Sequence, residues 1–169
     1  VEAIKGVRLE VPYKSQESTT ANSFRNDCGP ACVAMISEYK IPNLEISVNQ
    51  VASKTSLKKK DNGILPAEII QLLGAQKIQS YAKSGIALED LRNEIDSDRP
   101  VILLVNYKYL GDRAFGHYVV LVGYNEAGFY IHDPYKRGAF HFMPTEEFEK
   151  SITDVGAFFY YNRQGVLLK

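Results

Sequence analysis

Apolar residues recur at helical spacing along the first half of the chain, and this pattern predicts four helices. The first is predicted over residues 31–39, where the side chains of Asn26 and Asp27 suit an N-cap and Pro30 suits the first turn. Gly74 is expected to end the third helix, since glycine readily takes the left-handed conformation that follows a helix. The second, third and fourth helices are predicted at residues 47–53, 66–73 and 87–95.

β-branched and aromatic residues in stretches of period two indicate an antiparallel sheet in the later part of the chain. Asn125–Gly128 is a hairpin turn signal, residues 144–150 suit a short helix, and Pro12 favours an irregular extended segment over residues 9–13. The strands are predicted at residues 78–82, 101–107, 118–124, 128–132, 140–143 and 157–162. Helices followed by antiparallel strands predict an α+β fold, and we expect a single domain over residues 1–169.

The composition excludes some classes of partner. Lysine plus arginine and aspartate plus glutamate both total 20, so a chain of zero net charge carries no electrostatic footprint for nucleic acid. No apolar run approaches the ~20 residues of a membrane span, and the basic run Lys58–Lys60 is expected in a solvated loop. Because Val1 is not a methionine, removal of a leader is favoured, and with it a secreted or cell-surface location over a cytoplasmic one. We expect a monomer.

The two cysteines, Cys28 and Cys32, lie four positions apart and admit several interpretations. A structural zinc site needs four ligands, and the chain offers no second cysteine pair. A redox dithiol usually has two intervening residues rather than three. A disulfide is geometrically awkward one helical turn apart, because the side chains run nearly parallel. What remains is a reactive thiol or two buried thiols.

The predicted helix separates the two cysteines. Cys32 lies among apolar helical residues and is interpreted as core packing, which is the common role of a free cysteine. Cys28 lies at the helix N-terminus, where unpaired N–H groups and the helix dipole favour a thiolate. Gly29 is expected to leave room for a substrate beside the sulfur. Cys28 is therefore a candidate nucleophile, with its own N–H available to an oxyanion.

A cysteine nucleophile needs a histidine base, and the base needs a third group that fixes its tautomer. His117 and Asp133 are expected near each other at the open end of the predicted hairpin, on neighbouring strands. His132 remains a rival base, while His141 alternates with aromatic residues and is expected on the outer face of a strand. Gln16, in the polar loop before Cys28, is one of several glutamines that suit a side-chain oxyanion donor.

Four blocks of sequence together resemble the C39-like peptidases, a bacterial branch of the papain-like cysteine peptidases. The blocks are VPYKSQ at 11–16, NDCGPAC at 26–32, GHYVVLVGY at 116–124 and HDP at 132–134. The resemblance implies a papain-like fold, in which a helical half carries the nucleophile and an antiparallel sheet carries the base. It also implies Gln16 as oxyanion donor, Cys28 as nucleophile, His117 rather than His132 as base and Asp133 as acid.

The function that follows is a thiol hydrolase that cleaves a peptide or amide bond through a thioester, with no metal or organic cofactor. The expected partner is a peptide or protein substrate. Two alternatives stay open at this point: a papain-like module that binds peptides without turnover, and an acyltransferase in which an amine replaces water. Exporter-fused relatives cut leader peptides after a Gly-Gly pair. The chain resembles the stand-alone members instead, so that substrate is not carried over.

Overall fold

A computed structural model of the protein describes residues 6–16, 27–55, 63–153 and 163–169. The helices in these residues are α1 (Cys28–Lys40), α2 (Val48–Ala52), α3 (Pro66–Ala75), α4 (Leu88–Asp96) and α5 (Thr145–Thr153). The strands are β1 (Gly6–Arg8), β2 (Ser80–Lys83), β3 (Val101–Asn106), β4 (Gly116–Asn125), β5 (Gly128–Asp133), β6 (Gly138–Pro144) and β7 (Gly165–Leu168). None of these helices has the length and apolar character of a membrane span.

The strands form one antiparallel sheet in the order β2-β7-β3-β4-β5-β6. β1 pairs with the far half of β4, beyond the part that pairs with β3. Every residue of β3 is buried, since the strand lies between β7 and β4 and contacts α4 and α5. This explains why β3 reads as a continuous apolar run rather than as an alternating one.

Helices pack on both faces of the sheet. On one face, the start of α1 lies against β4, where Tyr118 and Ile64 are close to Gly29. On the other face, Phe148 of α5 stacks on Phe129 of β5 with ring centroids 4.2 Å apart. Helix α1 and the β4–β5 hairpin are therefore fixed to each other through the apolar core.

The α+β prediction is confirmed, and most predicted elements agree with the observed ones to within a few residues. The prediction for Gly74 is wrong, since α3 runs through it to Ala75 and the left-handed residue is Lys77, with φ of 61°. The strands β1, of three residues, and β7, of four residues, were not predicted. The predicted strand at 157–162, the loop Lys58–Lys60 and the capping residue Asn26 lie outside the described residues.

Candidate active site

The site begins at the N-terminus of α1, of which Cys28 is the first residue. Asp27 occupies the N-cap position and its carbonyl accepts the Ala31 N–H at 2.9 Å. The predicted capping by the Asp27 side chain is wrong, since that carboxyl makes no capping hydrogen bond and is buried. Its backbone alone starts the helix, with φ of −83° and ψ of 15°.

The β4–β5 hairpin supplies the histidine and the carboxylate. Asn125 pairs with Gly128 at the turn, and the ladder continues as far as the pair Val120 and His132. Beyond that pair, Nε2 of His117 lies 2.7 Å from Oδ1 of Asp133. Both side chains are almost fully buried, at 2% and 0% exposure. Their hydrogen bond is therefore shielded from water.

The thiol of Cys28 is hydrogen-bonded to His117. Because Nε2 of His117 faces Asp133, Nδ1 is the ring nitrogen left for the sulfur. Burial raises the pKa of Cys28, while the hydrogen bond and charge of His117 lower it. The backbone N–H groups of Tyr118 and Gly29 lower it further, so the pKa of Cys28 lies below its ordinary value.

The imidazole shows the complementary shift. Burial lowers the pKa of His117, but the hydrogen bonds and charges of Asp133 and Cys28 outweigh burial and raise it to about 9. A lowered thiol pKa beside a raised imidazole pKa favours a thiolate–imidazolium pair near neutral pH.

Four donors hold the carboxylate of Asp133. Oδ1 faces His117 and accepts the Tyr135 N–H at 2.9 Å. Oδ2 accepts the Tyr107 hydroxyl at 3.0 Å and the Arg137 N–H at 2.9 Å. Burial raises the pKa of Asp133, but its bond to His117 and the two backbone N–H groups lower it below the ordinary value. The carboxylate is thus ionised and fixed in orientation.

Two parts of this arrangement were not predicted from the sequence. The turn after Asp133 had a signal, because aspartate commonly accepts the N–H two residues ahead, and Pro134 favours such a turn. The hydroxyl of Tyr107 had no signal in the sequence, because its hydrogen bond to Asp133 depends on how β3 and β5 lie in the folded sheet.

Gln16 lies close to the same end of the sheet. Its backbone N–H donates to the Pro134 carbonyl at 2.8 Å, and the residue is 5% exposed. Nearby, the Tyr13 hydroxyl donates to the carbonyl of Asp133 at 2.7 Å, and Lys14 pairs with Glu38 of α1 at 2.6 Å. These contacts fix the segment 13–16 between α1 and the turn after β5.

The other two histidines take different places. His132 is fully buried, its Nε2 donates to the Val11 carbonyl at 2.7 Å and its Nδ1 accepts the Phe140 N–H at 3.0 Å. Burial lowers the pKa of His132, so this imidazole is neutral and structural rather than a base. His141 pairs with Ile131 and is half-buried, so it is not the outer-face residue that the alternation predicted.

The surroundings of the two thiols also differ. Cys32 is fully buried, and burial followed by the charges of Cys28 and Asp133 raises the pKa of its thiol well above the ordinary value. Both cysteines are free thiols. The space beside Gly29, which was expected to admit substrate, is filled by the side chain of Ile64. Within the described residues, no three His, Cys, Asp or Glu side chains group as a metal site.

One protein family and a number of solved structures resemble this chain. The sequence profile of the Peptidase_C39 like family matches residues 8–158. A C39-like peptidase of Bacillus anthracis shares the fold with a TM-score of 0.72 at 19% identity, over 98% of each chain. A double glycine motif protease from an AMS/PCAT transporter, in complex with its leader peptide, gives 0.64 at 20% identity over 96% of this chain and 94% of that one.

The third structure is the peptidase domain of Streptococcus ComA, a bi-functional ABC transporter involved in quorum sensing. Its TM-score is 0.64 at 20% identity, and the match covers 85% of this chain and 90% of that domain. No curated protein matches the chain in sequence. At these identities the structures show the fold alone, and the α+β fold found here is the papain-like one of the C39 peptidases.

Proposed function

This chain belongs to the Peptidase_C39 like family, and from that membership we propose that it is a cysteine peptidase whose catalytic triad is Cys28, His117 and Asp133. One observation carries the proposal. The imidazole of His117 is hydrogen-bonded to Cys28 on one side and lies 2.7 Å from Asp133 on the other. A thiol, a base and an orienting carboxylate in this order form the arrangement that activates a nucleophile.

In the proposed reaction, the Cys28 thiolate attacks the carbonyl carbon of the scissile bond. The electron pair of the carbonyl moves to its oxygen, which the Cys28 N–H and the Gln16 side-chain amide stabilise. His117 then gives its proton to the leaving amine as the bond between carbon and nitrogen breaks, and a thioester forms on Cys28. Water, deprotonated by His117, hydrolyses the thioester, and Asp133 stabilises the imidazolium at each stage.

A peptide is the proposed substrate class. The transporter protease of similar fold is in complex with a leader peptide, which supports a peptide here. That protein is a double glycine motif protease, but at 20% identity the double glycine motif is not transferred to the substrate of this chain. No metal or organic cofactor takes part in the proposed reaction.

The test is cleavage of a peptide library by the wild type, by Cys28→Ala and by the matched control Cys32→Ala. We expect Cys28→Ala to abolish cleavage and labelling by a thiol reagent. Cys32→Ala should keep both, because Cys32 is buried and packs in the core. Cleavage by Cys28→Ala would refute the proposal. Peptide binding without cleavage by a folded wild type would indicate a binding module, and transfer to an added amine in preference to water would indicate an acyltransferase.

A further inference from the structure

Tyr107 touches the site without belonging to the triad. It follows β3 as the first residue of a short 3-10 turn that ends at Tyr109, and it is 1% exposed. Its hydroxyl oxygen accepts the Lys136 N–H at 3.3 Å and lies 3.0 Å from Oδ2 of Asp133. Because the Lys136 N–H and an ionised carboxylate leave only one direction for the phenol proton, that proton is donated to Asp133.

The ring of Tyr107 also covers the base. Its centroid lies 4.8 Å from that of His117 at an interplanar angle of 78°, an edge-to-face contact. Phe115 stacks on Tyr107 at 4.7 Å and 19°, and it also meets the His117 ring edge to face with centroids 5.9 Å apart. The imidazole of His117 is therefore packed against two aromatic rings, those of Tyr107 and Phe115.

Gly111 gives the ring its place. A Cβ atom at position 111 would lie 2.5 Å from Cε1 and 2.9 Å from Cδ1 of Tyr107, which is closer than such atoms can pack. The Gly111 N–H also donates to the Tyr107 carbonyl at 2.8 Å. The turn thus closes around the tyrosine, and its position depends on a residue without a side chain.

The Tyr107 hydroxyl differs from the backbone donors to the same carboxylate. The Tyr135 and Arg137 N–H groups belong to the turn that follows Asp133, so they move with it. Tyr107 comes from the end of β3, which pairs with β4, the strand that carries His117. Its bond therefore ties the carboxylate to the part of the sheet that holds the base.

We propose that Tyr107 is a positioning residue for the triad: it holds Oδ2 of Asp133 so that Oδ1 points at Nε2 of His117. This inference rests on the proposed peptidase function. It adds to that function a residue whose hydroxyl acts through Asp133.

The first test is Tyr107→Phe, which keeps the ring and removes the hydroxyl. We expect kcat to fall about 10-fold, with KM within about twofold, because a hydrogen bond to a charged group is lost while substrate contacts stay. The matched control is Tyr124→Phe, whose hydroxyl also donates to a carboxylate, that of Asp96, but at the surface. Unchanged kcat in Tyr107→Phe would overturn the proposal. Gly111→Ala should lower kcat in the same way, because it displaces the ring.

A double-mutant cycle separates positioning from general packing. If Tyr107 acts through Asp133, Tyr107→Phe should change kcat by less than about twofold in an Asp133→Ala background. If the fold-losses in kcat of Tyr107→Phe and Asp133→Ala simply multiply in the double variant, the proposal is overturned. Thermal melting checks that each variant is folded, and Asp133→Asn takes the place of Asp133→Ala if that variant does not fold.

A measurement without substrate distinguishes this inference from the peptidase proposal. In the resting wild type, NMR should show a downfield imidazole N–H resonance of His117, hydrogen-bonded to Asp133. Tyr107→Phe should broaden or lose that resonance, and Tyr124→Phe should keep it. A sharp, unshifted resonance in Tyr107→Phe refutes the positioning role. Absence of peptide cleavage by the wild type with this NMR pattern intact refutes only the peptidase proposal.

Discussion

At the scale of single residues, two thiols one helical turn apart have pKa values shifted in opposite directions, with that of Cys28 lowered and that of Cys32 raised. His117 and two backbone N–H groups stabilise the anion of Cys28, whereas Cys32 lies deeper in α1 and has only burial and like charges around it. The reactivity of this helix therefore depends on what faces each sulfur and not on the spacing of the pair.

The prediction at the scale of single residues concerns Gln16. If its side-chain amide binds the oxyanion, Gln16→Ala should lower kcat about 100-fold and change KM little, because the oxyanion exists only in the transition state. The measurement is steady-state kinetics on a peptide found in the library. Gln71→Ala, on the exposed side of α3, is the control and should match the wild type. A rise in KM at constant kcat would assign Gln16 to substrate binding instead.

Residue chemistry alone identified Cys28 as a candidate from its place at a helix N-terminus, and His117 and Asp133 from the predicted hairpin. Gln16 was one glutamine among several, and only the resemblance to the C39-like peptidases singled it out. Residue chemistry alone did not distinguish His117 from His132, and the structure explains why. Both histidines lie in the same hairpin, and only their opposite strand faces separate a base next to Asp133 from a structural group bonded to Val11. The contact of Tyr107 with Asp133 had no sequence signal, because Tyr107 follows β3, which is separated from β5 by β4 and is not joined to it by a hairpin.

At the scale of elements, the start of α1 packs closely against the residues before α3. Gly29 lies against Ile64, whose Cγ1 and Cδ1 would be 2.6 Å from any Cβ at position 29. The space beside Gly29 is therefore filled by a core side chain and is not left open for a substrate. The sequence indicated that small size mattered here, but the neighbour that fills the space is distant in the chain.

Gly29→Ala should lower the free energy of unfolding by about 1–3 kcal/mol, because overpacking displaces Ile64. Urea denaturation measures this change. Gly74→Ala is the matched control. Gly74 lies in α3 with no atom within 4 Å of an added Cβ, so alanine there should stabilise the protein by up to about 1 kcal/mol. The account of this packing would be wrong if Gly29→Ala were neutral, or if Ile64→Ala failed to relieve its cost.

At the scale of the whole molecule, the segment before α1 links the helices to the sheet. The Val11 carbonyl accepts from His132, the Tyr13 hydroxyl bonds to the carbonyl of Asp133, and Gln16 bonds to Pro134. The same segment pairs Lys14 with α1. The short extended stretch predicted at 9–13 is thus what brings Gln16 to the site, a role that no local pattern reveals.

This link makes stability depend on pH. Burial lowers the folded-state pKa of His132 below 6.5, with Arg8 adding to that effect and Glu10 opposing it. At pH values above the pKa of His132 in the unfolded chain, its neutral form contributes its full stabilisation to the folded state. As pH falls below 6.5 the unfolded state binds a proton that the folded state does not, and stability is lost. Once protonated, Nδ1 of His132 could no longer accept the hydrogen bond from the Phe140 N–H.

We therefore expect the free energy of unfolding to fall between pH 7 and pH 5, as measured by urea denaturation at each pH. His132→Asn should be less stable at pH 7 but should lose less on acidification, because one titrating group is gone. Two other histidines contribute equally in both proteins: His141, whose pKa is lowered first by burial, adds a slope of the same sign, and His117, whose pKa is raised to about 9, adds one of the opposite sign. Equal slopes in the wild type and His132→Asn would show that His132 is not the acid-sensitive link.

The central claim, that His117 holds Cys28 as a thiolate, is tested most directly by the rate of Cys28 alkylation as a function of pH. Mass spectrometry of the labelled peptide separates Cys28 from Cys32. We expect the midpoint of Cys28 in the wild type to lie below the ~8.5 of an ordinary thiol, and to rise in His117→Ala. A wild-type midpoint at or above the ordinary value, or one that His117→Ala leaves unchanged, would contradict the account.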